Sequence, residues 1–249
     1  MLDKSKKTGE VNFSEEEISR FDSLAESWWD PNGKYKTALE FNRARLDVIK
    51  AQIEEHFGKG NLPPDYSSLS IVDIGSGGGL ISEPLAKLGA NVTGIDASAV
   101  SVEVAKCHAE KSGVSVTYKH MLSSELVKEA KQYDIVINAE VVEHVPDQQQ
   151  LIDECASLVK PGGLLILATL NRTIKSYVIA IVGAEYVMRY LPVGTHDWRK
   201  FVKPGELEKW VGEDFTLKHQ VGMKLNPVKG KWLTTSSLAV NYIQAYCRS

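Results

Sequence analysis

Three cysteines, Cys107, Cys155 and Cys247, are too few and too scattered for a disulfide framework, and no CxxC pair offers a metal knuckle. A reducing compartment is the expectation. Long apolar runs are also missing, because no window reaches the roughly 18 uncharged residues of a membrane-spanning helix. The first residues, MLDKSKKTGEVNFSEEE, lack an apolar core and place Asp3 and Glu10 among lysines. They match neither a secretory signal nor an acid-poor transit peptide, which points to the cytoplasm. Charge of one sign is lacking too: 29 Lys+Arg against 32 Asp+Glu leave a net charge of -3. Without a basic stripe, nucleic acid is excluded as the main partner. Repeats and low-complexity tracts are absent. What remains is a chain of 249 residues, 43% hydrophobic, long enough for one large domain or two small ones with a substantial core.

Ser14 precedes Glu17 at capping-box spacing, and Ile18, Phe21, Leu24 and Ala25 follow at helical period, so a first helix is expected to run toward Asp30–Pro31. A second, about Ala38–His56, carries Leu39, Leu46, Ile49 and Ile53 on one face. From Leu69 the pattern changes. LSIVDIG, NVTGID, VTYKHM, YDIVINAE and GLLILATL are short β-branched runs separated by helix-length stretches, Gly79–Leu88, Ala99–Ser112, Leu122–Lys131 and Asp147–Leu158. That alternation implies βαβ units, a mostly parallel sheet and a ligand site beyond the carboxyl ends of the strands. FTLKHQVG and LAVNYIQAYC, joined by a loop, are expected to close it as an antiparallel hairpin. The fold class is α/β: a doubly wound, Rossmann-like, seven-stranded sheet with a helical N-terminal cap and an inserted helical lid. One domain is expected, with the cap at 14–57, the core at 69–170, the lid at 171–204 and the hairpin at 205–249.

A buried strand runs directly into Gly75-Ser76-Gly77-Gly78-Gly79, so bare peptide groups can turn tightly and approach a ligand. A dinucleotide fingerprint is the rival reading, but Leu80 stands near where its third glycine belongs and the spacing is wrong. Asp96, about twenty residues on, can accept bonds from two ribose hydroxyls in either case. Asp73 discriminates: a carboxylate there would repel a pyrophosphate and accept from a cationic amino group. Val72-Asp73-Ile74-Gly75-Ser76-Gly77-Gly78-Gly79 with Asp96 resembles the first motif of class I S-adenosylmethionine-dependent methyltransferases. A glycine turn needed only for strand–helix packing is the bland alternative.

The resemblance extends over most of the chain. Phe21-Asp22, Ala25, Trp28-Trp29-Asp30-Pro31, Asn42, Arg45-Leu46, Glu140, Glu143-His144-Val145-Pro146-Asp147, Leu158 to Gly163, Thr169 to Arg172, Gly183 to Tyr186, Gly194 to Asp197 and Asn226-Pro227 together are similar to the ubiquinone biosynthesis O-methyltransferase family. The KPGG run and the glycine loop are shared widely, whereas the paired tryptophans, Gly194-Thr195-His196 and Gly183 to Tyr186 are more specific. The resemblance implies S-adenosylmethionine as cofactor and polyprenyl catechols as acceptors, methylated on a ring hydroxyl, with association in a ubiquinone-biosynthesis complex as a further implication. Cofactor contacts carry over to Arg45, Gly75 and Asp96, beside Asp73 and Gly77 from the motif; a methionine of some relatives is Ala139 here, leaving a backbone or packing contact.

Methyl transfer to a phenol oxygen requires alignment, removal of the proton and exclusion of water. Glu140, Glu143 and His144 follow the fourth strand, where a helical turn would bring them to one face. They are candidates to hold a divalent cation, Mg²⁺ by carboxylate preference or Zn²⁺ by the imidazole, that would acidify a bound catechol. His144 as a metal-free base, or purely structural roles, stand beside that. His56, His108, His120 and His219 read as surface residues, whereas His196, after a glycine turn, reads as lining the acceptor pocket. The segment IKSYVIAIVGAEYVMRYLPVG, with Tyr177, Val178, Ile181, Val182, Val187, Met188 and Leu191 on one face, reads as a core helix or as an interfacial helix that dips into a membrane leaflet for a lipid-tailed substrate. Tyr177, Ile181 and Val182 are its candidate lid residues, giving a cytoplasmic protein peripherally bound to the inner membrane. Trp28 and Trp29 cap the cofactor pocket or staple the cap to the sheet. The opposing classes are a nicotinamide-dependent reductase and a non-catalytic lipid-binding scaffold.

Overall fold

A computed structural model describes residues 12–22, 29–30, 36–60, 62–187, 197–226 and 231–249. Its centre is a sheet of order β3-β2-β1-β4-β5-β8-β6-β7. β1 (Ser70–Ile74), β2 (Asn91–Asp96), β3 (Thr117–His120), β4 (Tyr133–Ala139) and β5 (Val159–Leu170) are parallel, and β8 (Asn241–Arg248) returns antiparallel between β5 and β6 (Phe215–Asn226). The expected hairpin is therefore present, with one addition. β7 (Lys231–Thr235) pairs on the outer edge of β6 and makes the sheet eight-stranded rather than seven. A sequence of five residues on an edge buries too little to display a clear alternation, which is why KWLTT read as loop.

Alternation along the central strands distributes the core to both faces. Ile71, Ile135, Ile137, Leu164 and Ile166 pack with Leu46, Ile49 and Ile53 of α2 (Lys36–Phe57) and Leu85 of α3 (Ser82–Lys87). Their neighbours Val72, Val136, Leu165 and Leu167 point the other way, against Leu126 of α5 (Ser123–Lys128), Leu151 and Ile152 of α6 (Gln148–Ser157), and Leu207 and Val211 of α8 (Pro204–Val211). α4 (Ala99–Ser112) starts where Ser98 accepts from the Ser101 amide and stops at Gly113, whose φ of 64° ends the helix. The N-terminal α1 (Glu15–Asp22) begins after Ser14, whose Oγ accepts from the Glu17 amide at 3.4 Å.

Strand register places the site. Ile74 lies level with Ile95 of β2 and Asn138 of β4, so Gly75, Asp96 and Ala139 emerge side by side at the carboxyl edge. Connections diverge here, outward to β2–β3 on one side and β4–β5 on the other, which opens a crevice between β1 and β4. The apolar insertion begins as α7 (Ile174–Ser176) and continues as a π-helix, Tyr177–Val187. Its wider turn redistributes the side chains that a 3.6-residue period would align. Ile181 is buried with Ala180 against Leu170 and Phe201, whereas Ile174, Tyr177, Val178, Ile179 and Val182 are exposed. His196, Trp28, Met188 and Leu191 lie outside the described residues.

Ile137 is wholly buried in the central strand of one core face. Ile137→Ala is expected to cost about 2–5 kcal/mol of stability, with an unchanged denaturant slope, in urea unfolding.

Candidate active site

A cavity of about 950 Å³ lies over the carboxyl edge of β1, β2 and β4, roofed by α1 and α2. The glycine loop forms one wall. The Gly75 and Ser76 amides both donate to the Ile95 carbonyl, at 2.8 and 2.9 Å, which pulls the loop against β2. Gly75 has φ +76°, and a Cβ there would meet Val141 Cγ2 at 2.3 Å, so both backbone and space demand glycine. Asp96 is fixed by two amides: Gly77 donates to Oδ2 and Ser98 to Oδ1, each at 2.8 Å. Burial pushes its carboxyl upward against those bonds. Each oxygen retains acceptor capacity for a ribose hydroxyl.

Asp73 and Arg45 provide opposite charges for an amino-acid end. Asp73 is buried and accepts from Ser82 Oγ at 2.7 Å; burial outweighs that bond and the Arg45 charge and raises its pKa to about 6. Arg45, from α2, donates through Nη2 to Asn42 at 2.6 Å. Its Nη1 lies 3.1 Å from Glu140 Oε1 as an ion pair, yet neither Nη1 nor Nε has a well-aligned hydrogen-bond partner. Buried guanidinium donors without partners fit a ligand carboxylate. Ala97, Met121, Leu122 and Ser123, at the exits of β2 and β3, line the side where an adenine ring fits, and Ala139 lines the floor. The residues therefore suit S-adenosylmethionine along its length.

Beyond β4 the chain turns through Glu140 at φ +59° into a short 3₁₀ turn, Val142–His144. Glu140 consequently stands outside the turn and points to Arg45, while Glu143 is buried beneath it. Glu143 Oε2 accepts from Thr169 at 2.8 Å, and its Oε1 has no hydrogen-bond partner. Burial, then the Glu140 charge, holds the Glu143 carboxyl well above its usual range. His144 turns a third way, with Nδ1 3.1 Å from Glu17 Oε2 of α1. Glu140 and His144 line the cavity; Glu143 does not.

The comparisons agree with this geometry. A model of the methyltransferase domain family matches residues 72–167. A ubiquinone biosynthesis O-methyltransferase from Pelagibacter ubique is 44% identical over 96% of this chain and 99% of its own length. Another, from Dinoroseobacter shibae, is 46% identical over 93% and 95%. The chain belongs to the ubiquinone biosynthesis O-methyltransferase family. It is an S-adenosylmethionine-dependent O-methyltransferase. Among solved structures, magnesium protoporphyrin IX methyltransferase from Synechocystis PCC 6803 with bound SAM superposes with a TM-score of 0.62 at 22% identity, covering 98% of this chain and 100% of that one. The plantazolicin methyltransferase in complex with SAH gives 0.63 at 17% identity, covering 94% and 98%. Both share the fold.

Within this O-methyltransferase, Arg45, Asp73, Gly75, Gly77, Asp96, Ala139, Glu140 and His144 all reach one cavity. The expected cation site is a different matter. Among the described residues no three His, Cys, Asp or Glu side chains form a metal-holding group. Glu140 and Glu143 stay close, but His144 turns away to Glu17, because the left-handed Glu140 breaks the helical spacing that would have aligned all three. The lid assignment shifts as well: Val178 and Ile179 line the cavity, while Tyr177, Ile181 and Val182 do not. His108, read as a surface residue, holds the buried Glu83 at 2.7 Å. Met121, Leu122 and Trp232 escaped notice because only topology brings those segments to the pocket; β3's carboxyl end was the available signal for the first two.

Asp73 titration gives a pH test. Because its folded pKa of about 6 exceeds the ordinary 3.8, its contribution to stability is full below that ordinary value and lost as pH rises through the folded one. A bound ammonium reverses the preference. S-adenosylhomocysteine affinity, measured by calorimetry, is expected to rise across that interval in the wild type, and the slope to vanish in Asp73→Asn.

Proposed function

We propose that this O-methyltransferase methylates a ring hydroxyl of polyprenyl catechols in ubiquinone biosynthesis, a 2-polyprenyl-6-hydroxyphenol and 3-demethylubiquinol. The observation that carries the reading is His144, placed on the cavity wall at the β4 exit and anchored through Nδ1 to Glu17. S-adenosylmethionine supplies an electrophilic methyl on a sulfonium. The chain's own groups do the rest. Asp96, Gly77 and Arg45 would hold the ends of the cofactor, which would supply its methyl group at the strand exit lined by Ala139 and Glu140. A catechol hydroxyl, with a pKa of about 10 in water, needs a base. The Glu17 carboxylate opposite Nδ1 orients the His144 imidazole, the group placed to take the proton as the oxygen attacks. Phe41, Leu225, Trp232 and Ile179 line the same cavity and exclude water from the acceptor ring.

A divalent cation is the second reading, favoured by the buried, unpartnered Oε1 of Glu143 close to Glu140. As arranged, Glu140 is committed to Arg45 and His144 to Glu17, so the described geometry does not fit a three-ligand site. Transfer to a short-tail demethylubiquinol separates the readings. His144→Ala is expected to lower kcat about 10²–10⁴-fold without weakening S-adenosylhomocysteine binding. Full wild-type activity in excess EDTA supports the metal-free base, whereas loss restored by Mg²⁺ or Zn²⁺ supports the cation.

No helix among the described residues is long and apolar enough to cross a membrane. Ile174, Val178, Ile179 and Val182 nevertheless expose apolar surface next to Lys175, and the cavity opens at Val178 and Ile179. Peripheral contact with the cytoplasmic face of the inner membrane would deliver a lipid-tailed acceptor there. Ile174→Glu with Val182→Glu, both outside the cavity lining, is expected to abolish flotation with anionic liposomes while preserving methylation of a short-tail acceptor.

A further inference from the structure

The tryptophan that precedes Asp30 makes contacts that cofactor chemistry alone does not use. Trp29 Nε1 donates to the Gly78 carbonyl at 2.8 Å. Its indole lies flat on the His108 imidazole, with centroids 3.5 Å apart and planes 4° from parallel. His108 Nδ1 in turn faces both carboxylate oxygens of Glu83, at 2.7 and 2.9 Å, with Ser112 Oγ at 3.3 Å. Glu83 is completely buried in the first turn of α3. These contacts close a circuit. It leaves the glycine loop at Gly78, crosses the N-terminal segment and α4, and returns to the helix that the same loop begins.

Core packing does not account for this arrangement. Trp29 and His108 join none of the hydrophobic clusters among the described residues, and Trp29 does not line the cavity. What the indole holds is the Gly78–Gly79 peptide, one residue beyond Gly77, whose amide grips Asp96. That loop carries three glycines with positive φ, Gly75, Gly77 and Gly79, and so has an unusually large conformational freedom to lose when a ligand binds. A carbonyl held by a rigid indole removes part of that freedom in advance. The seat of the indole is rigid for a separate reason: a carboxylate as deep as Glu83 strongly favours keeping its His108 partner.

We propose that Trp29 and His108 are positioning residues for the methyl donor, pre-organising the glycine loop through the Gly78 carbonyl. Glu83 fixes the imidazole, the imidazole fixes the indole, and the indole fixes the loop. The inference concerns the cofactor half of the site and is independent of which acceptor is methylated.

Calorimetry with S-adenosylhomocysteine, which requires no turnover, reads the effect directly. Trp29→Phe retains a stacking ring without the donor and is expected to weaken binding by up to about tenfold, the range of one hydrogen bond. Trp29→Ala and His108→Ala are expected to weaken it at least as much. Their double variant should be no worse than Trp29→Ala, because both act through one contact. In steady state the KM for the methyl donor should rise while the KM for the acceptor stays within twofold. Wild-type affinity in Trp29→Ala overturns the proposal. So do losses that multiply in the double variant, or an affinity loss that appears only together with a lowered melting temperature of the ligand-free protein and a raised acceptor KM. Trp29→Phe guards against misfolding, since its ring can still cover His108.

Discussion

Two parallel strands leave the sheet side by side and must not collide, and the site is organised by that constraint. Gly75, leaving β1, stands where even a methyl group would overlap the Val141 side chain leaving β4. The close approach narrows the crevice at the topological switch point until only bare backbone fits. It also forces both exits into uncommon conformations, Gly75 at φ +76° and Glu140 at φ +59°. Non-glycine residues seldom adopt the left-handed region without cost, so the position of Glu140 beside Arg45 reflects tertiary contacts rather than local preference.

Electrostatic balance follows from that geometry. Asp73, Asp96 and Glu143 are all withdrawn from water near one another, and burial raises the proton affinity of each. Arg45 is a buried cation whose charge acts on Asp73, ion-paired to Glu140 and with donors still unspent. The protein alone does not match these groups, and unmatched buried polar groups are costly. A ligand with an ammonium, a carboxylate and ribose hydroxyls completes it from end to end. The N-terminal helix contributes from the opposite side: Glu17 meets His144, Asp22 accepts from Ser98, and Asn12 exchanges bonds with Asp147. The ties reach two strand exits, β2 through Ser98 and β4 through His144 and Asp147, so the cap spans the mouth rather than resting on one edge.

Legibility in the sequence tracked locality. The parallel strands, the helices between them and the glycine loop rest on residues close in sequence, and α4 coincides with the expected Ala99–Ser112. Asp73, Gly75, Gly77 and Asp96 are legible as candidates from motif spacing, and Arg45 only through the family resemblance. β7 was not, since a short edge strand carries little alternation. The apolar character of Tyr177–Val187 is plain in the sequence, but the directions of its side chains are not, because π-helical winding does not follow a 3.6-residue period. His108 looked like a surface residue because Glu83 and Trp29 are remote from it along the chain.

Sequence alone therefore determined the parallel strands, the helices between them, the glycine loop and the acidic residues that stand beside it. Those outcomes depend on propensity, periodicity and short-range spacing. Tertiary structure decided the rest: that His144 turns away from Glu140 and Glu143, that Val178 and Ile179 rather than Ile181 face the cavity, and that an indole from the N-terminal segment braces the glycine loop. Each depends on where a side chain points after the sheet has closed, and that direction is set by partners tens of residues distant, which no local pattern records.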